Sequence, residues 1–308
     1  MRELGLELVE VTQAAALACA RFLGRGDERA CDEAAITAMR RALDSIPFSG
    51  TVVIGEGERG EAPLLYFGEK VGASEGPEME VALDALEGPA VCATGAPNAL
   101  SALALGHFLP VPAIYMDKIA VGPEAKGAID LSKGPGDNLS AVAQAKGVRV
   151  EDLAVVMLNR PRHEGLMKGI RNCGAKIKLI EDGDLSAAVA VAKEGSGVDL
   201  LMGIGGAPQG VMAAAALKCL GGDMQGRLVA RNDDEADMAR KRGFLDLNKI
   251  YTIDEMAKGD IIFVATGITT GDLLEGMALF KGGAYTHSLV ALSRSHTIHY
   301  IKSRHYFE

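Results

Sequence analysis

Leu4, Leu8, Val11, Ala15, Cys19 and Phe22 recur at steps of three and four, the period of one helix face, and Gly24-Arg25-Gly26 ends the run. A second helix is predicted over 31–45, with Ile36, Met39, Leu43 and Ile46 on its apolar side and Pro47 closing it. The β-branched run at 51–54 predicts a strand that empties into the loop 55–63, and alternation over 80–84 puts Glu80, Ala82 and Asp84 on one strand face. A short helix is expected from Pro97 and a strand over 113–121. Beyond residue 153 the pattern becomes regular: strands at 154–158, 176–180 and 198–204 alternate with helices at 163–173, 185–193 and after Pro208. Each of these strands ends in a polar or glycine-rich turn, and open α/β sheets bind ligands just beyond such carboxyl ends. The stretch 232–242 balances acids and bases and reads as a solvated helix. Strands at 261–265 and 288–292 are expected to extend the sheet. No internal repeat and no linker rich in Pro, Gly and Ser interrupts the chain, which predicts two intimately packed halves, 1–150 and 151–308.

Composition narrows the function classes. The 308 residues are 48% hydrophobic and 24% charged, and 41 acids against 32 bases leave a net charge of −9. That balance argues against nucleic acid or an anionic membrane as the partner, and the absence of Trp leaves few platforms for stacking bases. No apolar run reaches the roughly 18 residues of a spanning helix, and Glu3, Glu7 and Glu10 do not fit a signal peptide, so a cytoplasmic location is expected. Five cysteines without close spacing predict free thiols, neither a disulfide framework nor a zinc ribbon. Glycine at 38 residues implies many tight loops.

The most informative fragment is Asp84-Ala85-Leu86-Glu87-Gly88. A strand-end Asp with a Glu three residues on can aim two carboxylates at one hard cation, although a turn with an N-cap acid has the same composition. Glu56 and Glu58 follow another strand, and Asp32 opens a helix. GIGGAPQG at 203–210 follows a strand and opens a helix, but its spacing does not fit a dinucleotide fingerprint. His163 reads equally as a phosphate ligand or a helix cap, while His287, His296, His299 and His305 have no metal-ligand spacing.

VVIGEGERGEAPLLYFGEKVG (52–72), ALDALEG (82–88), YMDKIAVGPEAKGAIDL (115–131), RPRH (160–163), DGD (182–184), GIGGAPQGV (203–211) and ATGITTGDLLEG (265–276) together resemble class II fructose-1,6-bisphosphatase, a family of metal-dependent, lithium-sensitive carbohydrate phosphatases. The resemblance is collinear over nearly the whole chain. It implies an α/β (α+β) sugar-phosphatase fold of layered helices and mixed sheets, with a metal-binding half over 1–150 and a half carrying phosphosugar loops over 151–308. It implies a homo-oligomer, a dimer or tetramer, that hydrolyses fructose 1,6-bisphosphate to fructose 6-phosphate with Mn²⁺ or Mg²⁺, with sedoheptulose 1,7-bisphosphate as a further substrate.

Carried over residue by residue, the resemblance places metal ligands at Asp32, Glu56, Asp84, Glu87 and Gln209, the last a glutamate in the family. It places substrate contacts at Glu87, Gly88, Pro89, Tyr115, Arg160, Pro161, Arg162, Asp182, Gly183, Asp184 and Gly206. Two arginines two apart can clamp a phosphate, and the DGD acids can accept sugar hydroxyls. Four positions depart from the family pattern. The Asp that helps activate the attacking water is Gly60, the Thr that orients it is Pro89, a lysine near the metals is Glu28, and Gln209 removes one charge. Catalysis then rests on Glu56, Asp84 and Glu87, with Glu58 or Glu61 as the substitute base. Two readings stand: a sugar bisphosphatase of reduced activity, or a catalytically impaired homologue that binds a phosphosugar or nucleotide as a regulatory partner.

Overall fold

The structure, a computed structural model, describes residues 2–307. The chain runs α1 (Arg2–Cys19), α2 (Glu28–Leu43), β1 (Ser49–Ile54), β2 (Lys70–Val71), β3 (Glu78–Glu87), α3 (Pro89–Thr94) and β4 (Leu100–Phe108). It continues with β5 (Tyr115–Val121), α4 (Pro135–Lys146), β6 (Ala154–Leu158), α5 (Glu164–Asn172), β7 (Lys176–Ile180), α6 (Asp184–Ala190), β8 (Leu200–Gly206) and α7 (Ala207–Leu220). After these come β9 (Asp223–Val229), α8 (Asp233–Lys241), β10 (Ile250–Thr252), α9 (Ile253–Met256), β11 (Ala257–Gly267), β12 (Ala278–Phe280), β13 (Gly283–Leu292) and β14 (Thr297–Tyr306). The elements divide into two units: unit 1 comprises residues 1–108 and 258–308, and unit 2 comprises 109–257. The expected division at residue 150 falls inside unit 2. Both sheets are mixed, in keeping with the expected α/β (α+β) class.

Unit 1 is built on an eight-stranded sheet in the order β12-β13-β11-β4-β3-β1-β2, with β14 pairing β13. Helices α1 and α2 bury the predicted apolar stripes, Leu8, Val11, Ala15 and Cys19 on the first and Ile36, Met39 and Leu43 on the second. The close seat of α1 is set by Gly5, where an added Cβ would lie 3.3 Å from Val290. Two expectations fail here. No helix starts at Pro97. The segment 100–108 is instead β4, a central strand flanked by β3 and β11, and its Leu/Ala run is buried on both faces, so no period-2 alternation marked it as a strand. The strands expected to extend the βα sheet, β11 and β13, belong to this sheet instead.

Unit 2 carries the predicted βα run on a six-stranded sheet, β10-β9-β5-β8-β6-β7, in which β6 is parallel to β7 and β8 while β5 runs antiparallel to β8 and β9. Antiparallel pairing sets Tyr115, the first residue of β5, opposite Gly206 at the end of β8 and Val229 at the end of β9. The start of β5 and the carboxyl ends of β8 and β9 therefore share one edge of the sheet. Helix α7 is buried nearly all round, which explains its alanine run. The charged stretch forms α8, capped by Asn232, whose side chain accepts from Glu235 N.

Candidate functional site

In unit 1 the acidic residues gather at element ends. Glu56 follows β1, and its Oε1 accepts a hydrogen bond from Ala85 N at 2.9 Å, tying that loop to the end of β3. In a regular strand residues 84 and 87 would face opposite sides, but the pairing of β3 with β4 slips between Asp84 and Glu87 and breaks that alternation. Both carboxylates are buried. Gly88 then turns the chain at φ 84°, a conformation that favours glycine, and Pro89 occupies the first turn of α3, where its fixed φ suits a helix start.

Asp32 does not open its helix as expected. Asp27 is the N-cap of α2, accepting from Ala30 N at 2.9 Å, and Asp32 sits one turn inside. Exposed Glu28 lies in that first turn, where an acid complements the helix dipole.

Burial pushes Glu56 up to about 8, with the charges of Asp84 and Asp32 adding to it. Asp32 is pushed up to about 6 by burial and by the charge of Asp84. Three carboxylates thus lie near enough to oppose one another's ionisation, and all their donors are hard oxygens, which fits a hard divalent cation. Among the described residues no three His, Cys, Asp or Glu side chains already close as a cage. Gln209 stands in unit 2 on the first turn of α7, its amide oxygen packed so closely on Gly206 that a Cβ there would overlap it. Glu58 and Glu61 share a turn, Glu61 N donating to Glu58 O at 3.0 Å, with Glu61 exposed.

In unit 2 the predicted phosphosugar residues sit on the loops after β6, β7 and β8 and at the start of β5. The two arginines point to different carbonyls. Arg160 Nη2 donates to Glu181 O at 2.6 Å, whereas Arg162 donates through Nε and Nη2 to Ile204 O at 3.1 and 2.7 Å. The Arg162 guanidinium also lies 4.8 Å from the centre of the Tyr115 ring. His163 occupies the N-cap position of α5, but its side chain makes no capping bond and turns inward: it is buried, its Nδ1 lies 2.8 Å from Leu158 O, and its Nε2 accepts from Ile204 N at 2.8 Å. Asp182 Oδ1 accepts from Gly183 N, while Asp184, first residue of α6, is buried and ion-paired.

Two residues escaped sequence reasoning. Lys118, only 1% exposed, places Nζ 2.5 Å from Asp184 Oδ2 and 3.0 Å from Gly206 O. A lysine among Met116, Ile119, Ala120 and Val121 was a legible anomaly, since lysine is almost never fully buried without a partner. Arg231, just beyond β9, lies 4.7 Å from the centre of the same Tyr115 ring and pairs with Glu235. Nothing in its charged surroundings singled it out.

Residues 2–305 match the family described as bacterial fructose-1,6-bisphosphatase, glpX-encoded. The chain is 44% identical to fructose-1,6-bisphosphatase 1 class 2 of Escherichia coli (strain K12), over 100% of this chain and 96% of the relative. It is 42% identical to a D-fructose 1,6-bisphosphatase class 2/sedoheptulose 1,7-bisphosphatase of Synechococcus sp. (strain JA-3-3Ab), over 98% of this chain and 95% of the relative.

Proposed function

We infer the chemistry from membership: the chain belongs to the bacterial class II fructose-1,6-bisphosphatase family and is a phosphoric monoester hydrolase acting on a sugar bisphosphate. The preferred substrate is fructose 1,6-bisphosphate, cleaved to fructose 6-phosphate and inorganic phosphate, with sedoheptulose 1,7-bisphosphate as a second substrate. The observation that carries this reading is the gathering of Asp32, Glu56 and Asp84, with Glu56 tied to the end of β3 through Ala85 N, as half-buried and buried carboxylates whose mutual opposition a cation would relieve. With Glu87 they are the residues of unit 1 that would hold Mn²⁺ or Mg²⁺. The metal, when bound, polarises the phosphoryl group and lowers the pKa of water.

The protein's own side chains supply the rest. Arg162, Arg160 and Tyr115 present positive charge and a hydroxyl at the strand ends of unit 2, the chemistry a sugar phosphate needs. Neither Gly60 nor Pro89 can accept a proton or orient water through a side chain. Glu58 or Glu61 is then the base, and turnover is slow relative to binding. Phosphate release from fructose 1,6-bisphosphate by the purified protein, with and without Mn²⁺ and against a Glu87→Ala control, tests the assignment. Release that needs neither the metal nor Glu87 would overturn it.

A further inference from the structure

Lys118 touches two of the loops assigned to the phosphosugar, and no role has been given to it. Its ammonium group is enclosed, with one contact to the carboxylate of Asp184 at the start of α6 and another to the carbonyl of Gly206 at the end of β8. The space for this arrangement is made by Gly205: a Cβ there would overlap Asp184 Oδ2 and would lie 3.2 Å from Lys118 Cε. A strand residue, a helix start and a strand end from three separate stretches of chain thus interlock around one buried charge. A buried ion pair is a poor device for stability, because desolvating both charges offsets most of their attraction. What it does supply is geometry, because an ammonium group that must satisfy two acceptors at once holds them at a fixed separation.

We propose that Lys118 is a positioning residue for the phosphosugar site, setting the distance between the Asp182–Asp184 turn and the Gly206 turn so that both meet one sugar. It acts through Asp184 and Gly206 and does not itself touch substrate. This rests on the phosphatase reading above, because that reading makes the two turns substrate loops. Tyr115 and Asp117 alternate with Lys118 along β5 and serve other contacts, Tyr115 with Arg162 and Asp117 with Arg227 at 2.9 Å, so the role belongs to Lys118 alone on this strand.

The test is calorimetric titration with fructose 6-phosphate, the product, which is not turned over, in the presence of Mn²⁺, alongside KM and kcat for fructose 1,6-bisphosphate. Lys118→Met should weaken fructose 6-phosphate binding about tenfold or more. Gly205→Ala, which leaves both charges in place but displaces Asp184, should do the same. In the double variant Lys118→Met/Asp184→Asn the loss should fall short of the product of the two single losses, because Lys118 acts in part through Asp184. The proposal is overturned by a folded Lys118→Met protein that binds like wild type, or by losses that multiply in the double variant. If Lys118→Met does not fold, wild-type binding by Gly205→Ala overturns it. A wild-type protein that ignores both sugar phosphates sinks the phosphatase reading itself, a distinguishable result.

Discussion

His163 shows how contacts specify a side chain whose sequence neighbours leave two readings open. A carbonyl at Nδ1 and a backbone N–H at Nε2 require the neutral ring with its proton on Nδ1, and burial holds the pKa below the usual histidine range. A histidine whose folded pKa is depressed takes up its proton more readily when unfolded. Its stabilising contribution is therefore complete above about pH 6.5 and is lost as pH falls below it. His163→Ala should cost about 2–4 kcal/mol in chemical denaturation at pH 8, because two buried backbone groups lose their partner. The difference between wild type and variant should shrink as the pH is lowered from 7 to 5. A constant difference would mean that the ring's pKa is the same in the folded and unfolded states. Gly60 and Pro89 are a second test at this scale. Restoring Gly60→Asp with Pro89→Thr should raise kcat more than it changes KM, although φ 98° at Gly60 obliges the loop to adjust. A wild-type turnover already near 1 to 10³ per second would refute slow chemistry.

Among the elements, legibility followed periodicity. The helices with apolar stripes and the βα run of unit 2 were readable because each buries one face, or because strand and helix alternate at regular intervals. β4 was not, because a Leu/Ala run buried on both sides carries no period, and its composition favours a helix. The candidate residues at 84 and 87 were visible as types, yet the slip in pairing between them is a feature of strand register that no single segment encodes. Lys118 was visible as an anomaly, while its partners Asp184 and Gly206 lie 66 and 88 residues away along the chain and depend on tertiary structure. The carboxylates of Asp32 in α2, Glu56 after β1 and Asp84 in β3 make a prediction about these elements together. Mn²⁺ should raise the melting temperature of the wild type, and Asp84→Asn should reduce the shift. An unchanged melting temperature in saturating Mn²⁺ would remove the metal site as drawn.

On the scale of the whole molecule, unit 2 is one continuous stretch, 109–257, while unit 1 is assembled from both ends of the chain. Residues 109–257 expressed alone should fold cooperatively, with α7 and the six-stranded sheet protected from hydrogen exchange. A fragment without a cooperative transition would show that unit 2 depends on the rest of the chain. The same arrangement imposes an order on synthesis. As the chain leaves the ribosome, unit 2 has all its strands once residue 257 has emerged, whereas β4 waits with an unpaired edge until β11 arrives about 150 residues after it. During that interval the Leu/Ala-rich edge of β4 is an unpaired, aggregation-prone edge. A ribosome pausing just after residue 257 has emerged would therefore hold a protein with one finished unit and one open sheet, and folding yield should depend on the speed of translating the residues that follow.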